Sequence, residues 1–453
     1  MSLLDALLRD SLLNPPVMQQ NYYIALRTDG VKGAGTMEDP FNGSTQALFD
    51  AAINNIPAFS TIFLGPSKFD ANGVVTQPFL TNGITLKNGQ RLVGSGTEVT
   101  VVKFNMYAPN VFKAAISSSF LPAGAEVSDL KINANLLPYS IPSGYYYSAG
   151  GINLNGNNIL VKRVRVINAG SNSSSIPATA ICVANSDTIG QVPTNCVVDS
   201  CSVDTPSGNH DNGATLIAIG FKAAPTGGTM NYHQNCGIRC CYIDLGYNPA
   251  SPKEFVGIAA TGCAGTIIEQ NRIFNCKVGG PYQSGGSSDR YASKDLIVRQ
   301  NFYKNVLKGV SIALDNSSGY TFVVDRAVAL QNEFEMLGSG SPVGIEFTEA
   351  NASANDSFIN LVIRGNIIRL SDSLSVIPGG KGIVFEAGGY VICENNVINV
   401  QNNNDSVIRK RGLSVQVFNN RRPNGQFLQA YDQTTGLLIA ELTTEAENYV
   451  LTL

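Results

Sequence analysis

The chain repeats one short pattern, a β-like stretch that ends in asparagine, about once every 30 residues. The five clearest copies are IIEQN, IVRQN, VALQN, VIRGN and ICENN, which end at Asn271, Asn301, Asn332, Asn366 and Asn396. These anchors are separated by 30, 31, 34 and 30 residues. Such a period is typical of solenoids, in which each repeat buries its apolar face only against its neighbours. Because Gly, Asn and Ser separate the β-rich runs, the sequence predicts a β-solenoid.

A second repeat runs in phase with the first. Upstream, the anchor position is taken by other residues, namely Leu130, Val164, Cys201 and Cys241. After each anchor, a further strand opens with glycine and an apolar residue: Gly151-Ile152, Gly220-Phe221, Gly257-Ile258, Gly309-Val310, Gly344-Ile345 and Gly382-Ile383. Two phased repeats predict an all-β fold, a right-handed, single-stranded parallel β-helix.

The anchor asparagines have a physical role in such a helix. Coils stack at the strand spacing of about 4.8 Å, so equivalent residues form columns. An inward-turned asparagine can bond the backbone of its own coil and of the next one. The column would therefore satisfy turn amides that are otherwise buried without partners.

Composition narrows the class of protein. Glycine is abundant (45), tryptophan is absent and 14% of residues are charged, which is typical of a turn-rich β protein. With a net charge of −3 and no basic stripe, nucleic-acid binding is not expected. No window is apolar enough for a membrane span. Residues 2–14 (SLLDALLRDSLLN) carry charges through their apolar positions and predict an amphipathic helix, so synthesis in the cytosol without a signal peptide is expected.

The nine cysteines could in principle form disulfides or bind zinc. No CxxC pair is present and the count is odd, so zinc is not expected. Cys201 and Cys241 occupy the same corner of consecutive coils, at a distance that permits a bridge. Free thiols that fill the core are the prediction, and a disulfide between these two is the alternative.

The N-terminal part resembles the pectate-lyase-like β-helix superfamily, which includes lyases, hydrolases, epimerases and virus spikes. The motifs that carry the resemblance are Asp29-Gly30, the helix Gln46–Ile56, the strand and turn Thr61–Pro66, and Leu92–Gly96. One departure is that Asp39-Pro40-Phe41 stands where the capping helix usually starts with Asp-Asp-Thr. The resemblance implies a capped, right-handed β-helix and specifies fold more than chemistry.

Four segments are expected along the chain. Residues 1–28 are an N-terminal helical extension or anchor, and residues 29–105 are the capping segment and first coils. Residues 106–423 form the β-helix. Residues 424–453 form a C-terminal β-hairpin that turns at Thr434-Thr435-Gly436 and serves as a cap or oligomerisation module. Both ends of a β-helix expose strand edges, which need such covers.

The resemblance also sets an expectation for catalysis that this sequence does not meet. Related lyases use clustered acids that hold calcium, and related hydrolases use Asn-Thr-Asp, Asp-Asp and Gly-His-Gly segments. The chain has no Asp-Asp pair and no Gly-His-Gly, and its two histidines are His210 and His233. The Asp-Pro-His-Glu signature of mannuronan epimerases is missing as well. No cofactor is predicted, with calcium left open.

The remaining candidates lie in four consecutive connections between the anchor strands and the Gly strands. The predicted carbohydrate-binding residues are Tyr145, Tyr146, Tyr147, Tyr247 and Lys253, and the candidate catalytic pair is His210 and Asp211. Aromatic faces beside acids and amides suit sugar rings, which stack on the rings and hydrogen-bond through hydroxyls. Polar decoration of long surface loops is the plainer explanation. An alternative acidic face consists of Asp315, Glu349 and Glu386, near Glu346.

Two classes of function follow. The first is a virion-type or appendage protein, like a tail spike or fibre, whose homotrimeric β-helix presents a surface for a polysaccharide or cell-surface glycan. The second is a polysaccharide lyase or glycoside hydrolase. A structural filament subunit is a third alternative. For the first class, the final location is a virion or an extracellular appendage.

Overall fold

The computed structural model describes most of the coils and leaves several connections and both termini outside the description. The described residues are 20–105, 112–135, 148–171, 179–184, 191–204, 215–219, 233–246, 255–260, 262–284, 293–314, 324–336, 341–349, 358–372, 375–376, 380–386, 390–399, 407–411, 414–428, 430–432 and 437–439. Their strands pair in parallel from coil to coil over almost the whole stack. The predicted fold, a right-handed parallel β-helix with a capping helix and a C-terminal hairpin, is confirmed.

Each coil has three faces, and the first is built from anchor strands, which lead into the anchor position. Their bounds are Gln20–Ala25, Ser60–Leu64, Arg91–Val93, Ala125–Asn133, Ile159–Ile167, Val197–Asp199, Gly237–Arg239, Ile267–Glu269, Ile297–Arg299, Val328–Leu330, Leu361–Arg364, Tyr390–Glu394 and Ser414–Phe418. Ala125–Asn133 and Ile159–Ile167 continue past the anchor into the second face. The first of these strands, Gln20–Ala25, lies within the stretch 1–28 and already pairs with Ser60–Leu64.

The second face is built from post-anchor strands, which begin directly after the anchor position in most coils. Their bounds are Phe79–Thr81, Val101–Phe104, Ser202–Asp204, Tyr242–Asp244, Arg272–Val278, Phe302–Leu314, Glu333–Met336, Ile367–Arg369 and Val397–Asn399. The long strand Phe302–Leu314 turns from this face into the third one, because it pairs with both Glu333–Met336 and Val343–Glu349.

The third face is built from the Gly strands. Their bounds are Ile84–Thr85, Phe112–Leu121, Ser148–Gly156, Thr179–Val183, Thr215–Ile219, Val256–Ala260, Tyr282–Ser284, Val343–Glu349, Lys381–Glu386, Val407–Arg411, Ala430–Asp432 and Leu437–Ile439. Short corner strands form a small parallel sheet: His233–Gln234, Cys263–Ala264, Ser293–Lys294, Val324–Asp325 and Phe358–Ile359. The remaining strands are Phe41–Asn42, Lys68–Phe69, Val75–Gln77, Gly170–Ser171, Ser371–Asp372 and Ser375–Val376.

An uninterrupted amide ladder runs through the interior at the anchor position. The Asn301 side-chain oxygen accepts hydrogen bonds from the backbone N–H (3.0 Å) and the side-chain amide (2.9 Å) of Asn271. In turn, the Asn301 side-chain amide donates to Ile268 O of the preceding coil at 3.0 Å. The pattern repeats at Asn332, Asn366 and Asn396, all buried, so the predicted inward column is confirmed. The ladder has one further member, Asn420, which the sequence analysis did not include.

The residue before each anchor adopts a left-handed backbone conformation. Gln270, Gln300 and Gln331 have φ values of 56°, 55° and 52°. This conformation costs a residue with a side chain about 1 kcal/mol, but it lets the chain turn sharply between two strands. The bonds of the following asparagine offset that cost, since they satisfy the turn's buried backbone groups.

Upstream anchors occupy the same column without an amide. Leu130 and Val164 are register partners. The thiol of Cys201 points to Val161 O at 3.5 Å, and that of Cys241 to Val198 O at 3.8 Å. These carbonyls hold the place that Ile238 O holds for Asn271, so a weak thiol donor substitutes for the amide. All nine cysteines carry free thiols, and only Cys240 is exposed.

Close packing explains the glycine that opens many Gly strands. A Cβ on Gly309 would lie 2.2 Å from Gly344 O and 2.4 Å from the Phe334 ring. At Gly344 it would lie 2.8 Å from Gly382 O. The Gly220-Phe221 expectation is wrong, because Ile217 is the register partner of both Ile181 and Ile258. The strand of that coil is Thr215–Ile219, so its opening position lies before residue 220.

The N-terminal end is covered by the predicted helix, here Gln46–Asn55, which buries Phe49 and Ile53. The Thr45 hydroxyl caps it by accepting from the Leu48 N–H at 3.3 Å. In front of the helix, the Arg27 guanidinium bonds the carboxylates of Asp29 and Asp39. Asp39, part of the departure from the superfamily pattern, therefore helps to fix the capping segment.

The C-terminal hairpin is present as predicted. Ala430–Asp432 pairs in parallel with Val407–Arg411 and antiparallel with Leu437–Ile439. The strand Ala430–Asp432 therefore adds one further strand to the Gly face before the chain reverses direction. The predicted turn, Thr434-Thr435-Gly436, and residues 440–453 lie outside the described residues.

Charged side chains form cross-coil pairs on the outer anchor face. Glu269 and Arg299 form one such pair, with 2.7 Å between carboxylate and guanidinium. One step along the same column, Asp199 and Arg239 pair at 3.0 Å. Such partly exposed pairs contribute little each, about 0–1 kcal/mol. No helix of the described residues has the length and apolarity needed to cross a membrane.

We expect Asn301→Leu to lower the free energy of unfolding by about 3 kcal/mol. The substitution leaves buried amides of neighbouring coils without partners. Asn82→Leu is the matched control, since Asn82 is exposed and outside the ladder. Denaturant unfolding followed by circular dichroism measures both. Equal stability of the two variants would contradict the role given to the ladder.

Deleting residues 424–453 should cause aggregation or loss of the native assembly. The deletion exposes the edge of Val407–Arg411, which otherwise pairs with the hairpin. Deleting residues 1–16 is the control and should leave the coils folded. Light scattering after size exclusion reports the particle mass. A soluble C-terminal truncation of unchanged stoichiometry would show that the hairpin is not a cover.

Candidate functional site

Four long connections leave and re-enter the helix at one position of four successive coils. The strands before them end at Asn133, Ile167, Asp204 and Asp244, which are register partners in turn. The Gly strands after them also align, with Ile152, Ile181, Ile217 and Ile258 in one column. The connections, residues 134–147, 168–178, 205–214 and 245–255, therefore start and finish side by side. We call this set the loop edge.

Every predicted site residue belongs to the loop edge, apart from the three residues of the alternative acidic face. Tyr145, Tyr146 and Tyr147 fall in its first connection, His210 and Asp211 in its third, and Tyr247 and Lys253 in its fourth. All seven lie outside the described residues. Their roles stay predictions. The predicted site requires the four connections to be neighbours, and the strand registers meet that requirement.

The alternative acidic face is only partly described. Asp315 lies outside the described residues, whereas the backbones of Glu349 and Glu386 belong to Gly strands. Glu349 is the register partner of Leu314. The neighbouring acid Glu346 is described with its contacts. Its carboxylate lies 2.7 Å from the Lys308 ammonium and accepts a hydrogen bond from the Ser311 hydroxyl at 3.1 Å.

The outer column of the Gly face changes character along the stack. Its successive members are Asn153, Cys182, Ala218, Ala259, Tyr282, Ser311, Glu346 and Val384. Cys182 and Ala259 are buried and pack in one cluster with Val256 and Val278. The column is therefore apolar from Cys182 to Ala259 and polar at Ser311 and Glu346.

Three aromatic residues on the outer post-anchor face were not predicted from the sequence. Tyr242 and Phe302 directly follow an anchor position, and Phe274 stands three residues after Asn271. A sequence signal exists, because post-anchor strands alternate inward and outward residues and outward aromatics are uncommon there. The alternation places Ile243, Ile273 and Tyr303 inside, all fully buried.

His233 is a core residue and not part of a site. Its side chain is 2% exposed, and neither ring nitrogen makes a hydrogen bond in the described part of the protein. Burial lowers the pKa of His233 to about 4, so the ring is neutral at pH 7. Among the residues that the structure describes, no three His, Cys, Asp or Glu side chains converge as metal ligands.

Three-faced parallel coils, the interior asparagine ladder and the capping helix together define a right-handed parallel β-helix. Solved structures with this fold include enzymes and phage proteins. A polygalacturonase from Erwinia carotovora ssp. carotovora is similar with a TM-score of 0.54 and 12% identity, covering 90% of this chain and 98% of that one. No family model matches the sequence, and no curated protein matches it.

Two phage proteins have the same fold. Pre-mature gene product 12 of bacteriophage phi29 gives a TM-score of 0.54 at 13% identity, over 90% of this chain and 52% of that chain. The tailspike of E. coli bacteriophage HK620, solved with a pentasaccharide, gives 0.51 at 12% identity, over 83% and 62%. At these identities the comparisons show the fold alone.

Below pH 6.5, the buried neutral ring of His233 should lower the free energy of unfolding of the protein. The unfolded chain binds a proton near pH 6.5, whereas the folded chain resists protonation until about pH 4. The unfolded state thus holds more protons between these values, and the free energy of unfolding falls there by up to about 3 kcal/mol. His233→Leu should remove that part of the pH dependence. An unchanged stability profile from pH 7 to 4 would contradict the burial argument.

Proposed function

We propose that this protein is a virion-type or appendage β-helix protein, like a tail spike or fibre, that binds a glycan at its loop edge. The observation that carries the proposal is the register of the four connections. Because of this register, the connections that carry the predicted tyrosine, histidine, aspartate and lysine residues start and finish at neighbouring points on one edge. Adjacent aromatic, acidic and amide groups suit a sugar chain that spans several coils.

Two further points support this assignment. The fold is shared with a phage tailspike that was solved with a pentasaccharide. The chain also lacks the Asp-Asp and Gly-His-Gly segments of the related hydrolases. A homotrimer on a virion or extracellular appendage is part of the proposal, and the edge near the C-terminal hairpin is its expected contact. Particle mass in solution tests this part separately.

A polysaccharide lyase or glycoside hydrolase is the second candidate. The fold is also that of a polygalacturonase, and Glu346 places a carboxylate on the Gly face. Hydrolysis requires two carboxyl groups about 5–9.5 Å apart. Glu346 is already paired with Lys308, so a hydrolase would need its second acid from Glu386 or from the loop edge. A filament subunit without ligand is the remaining alternative.

Replacing Tyr146 and Tyr247 together with alanine should weaken glycan binding by about 1–3 kcal/mol, because two stacking faces are lost. The probe is a panel of capsular and plant polysaccharides, measured by calorimetry. Phe427→Ala is the control, since Phe427 is an exposed aromatic near the C-terminal end. If the double variant binds as the unchanged protein does, the loop edge is not the site.

The same panel separates binding from turnover. Reducing ends report hydrolysis, and ultraviolet absorbance of unsaturated products reports elimination. We expect binding with no product. Product that disappears in His210→Ala, while binding remains, would favour the enzyme.

A further inference from the structure

Three aromatic side chains form a continuous strip on the outer post-anchor face. Tyr242, Phe274 and Phe302 come from three successive coils. The centroids of Tyr242 and Phe274 are 5.1 Å apart, and those of Phe274 and Phe302 are 5.8 Å apart. Tyr242 is 40% exposed. We call these three side chains the aromatic strip.

A charged residue accompanies each ring of the aromatic strip. Asp244 and Lys304 are the register partners of Phe274, while Arg272 lies in register between Tyr242 and Phe302. The Arg272 guanidinium lies over the Phe274 ring, 5.8 Å from its centroid. Burial and the nearby carboxylates of Asp244 and Asp204 raise the pKa of Tyr242, which keeps its phenol protonated. The strip therefore combines ring faces with hydrogen-bonding groups at every coil.

Internal stability does not account for this arrangement. Cross-coil stacking stabilises neighbouring rings by about 0.2–1 kcal/mol per pair, but it does not require an exposed phenol or charges between the rings. A protein-binding patch would have a centre depleted of charged residues. Sugar rings fit better, since they present C–H faces for stacking and hydroxyls for the groups between.

The aromatic strip adjoins the loop edge. The strand Tyr242–Asp244 runs directly into its fourth connection, residues 245–255. From there the rings continue along the helix axis for two more coils, about 10 Å at the strand spacing. A glycan bound at the loop edge and lying along the axis would next meet Tyr242, then Phe274 and Phe302.

We propose that the aromatic strip is a second sugar-binding subsite, which extends the loop edge along the helix axis. This inference rests on the proposed glycan-binding function. It assigns Tyr242, Phe274 and Phe302 to stacking and Arg272 to hydrogen bonding with sugar oxygens. Longer oligosaccharides should therefore bind more tightly than short ones, because only they reach both subsites.

The test uses a polysaccharide that the full-length protein binds in the panel, cut into a series of oligosaccharide lengths. Tyr242→Ala with Phe274→Ala should weaken binding of the long members about 5- to 150-fold and leave the short members nearly unchanged. Phe427→Ala is a matched control, because Phe427 is also exposed and also stacks with an arginine, Arg421, at 4.5 Å. The control should bind every length normally.

Tyr242→Ser provides a milder variant in case the double variant unfolds, since it alters one exposed side chain. It should lose part of the length dependence with an unchanged melting temperature. Suppose that a folded strip variant keeps the normal length dependence while the Tyr146 and Tyr247 variant binds more weakly. That result would overturn the assignment of the strip as a subsite and would keep the proposed function. No binding of any panel member to the unchanged protein would overturn both. A strip variant that changes particle mass and not glycan binding would make the strip a subunit contact.

Discussion

Everything in this fold depends on hydrogen-bonding the backbone of a tight turn buried inside a solenoid. The turns before the anchors use a left-handed residue such as Gln300, and the N–H groups of the buried anchors that follow point into the interior. The asparagine ladder supplies their partners from the next coil. Because the ladder fixes register at one corner, the other connections of each coil are free to vary in length. The loop edge lies in earlier coils, whose anchors are Leu130, Val164, Cys201 and Cys241, and there strand pairing keeps the register without the asparagine ladder.

The sequence predicted the parts of the fold that this constraint controls. Inward polar positions must be asparagine or a close substitute, so Asn271 to Asn396 stand out at a regular period. Asn420 was missed because it follows Asn396 after only 24 residues, although its bonds are the same. Gly220-Phe221 was misplaced because a glycine followed by an apolar residue is too common a pair to fix the register. Only pairing partners could show that Ile217 holds the register position.

The candidate site was harder to predict for a physical reason. Outward side chains do not pack into the repeating core, so the residue types at these positions do not recur at a regular period along the sequence. The strip residues alternate between two outward positions, which hid Tyr242, Phe274 and Phe302 from a search for equivalent offsets. Glu346 shows the reverse case, in which an acid that looked available is held by Lys308. Functional residues on a β-helix therefore have to be located from strand register and side-chain contacts, because the spacing of residues in the sequence alone is insufficient.

The ladder also has a direction. Each anchor's side-chain oxygen accepts the N–H of the anchor one coil earlier in the chain, as Asn301 does for Asn271. A coil's buried turn is thus completed only when the following coil has been made. On the ribosome, where N-terminal parts form first, the newest coil would remain open until its successor emerges. The nascent helix would advance one coil at a time, with Asn420 closing the last of these bonds.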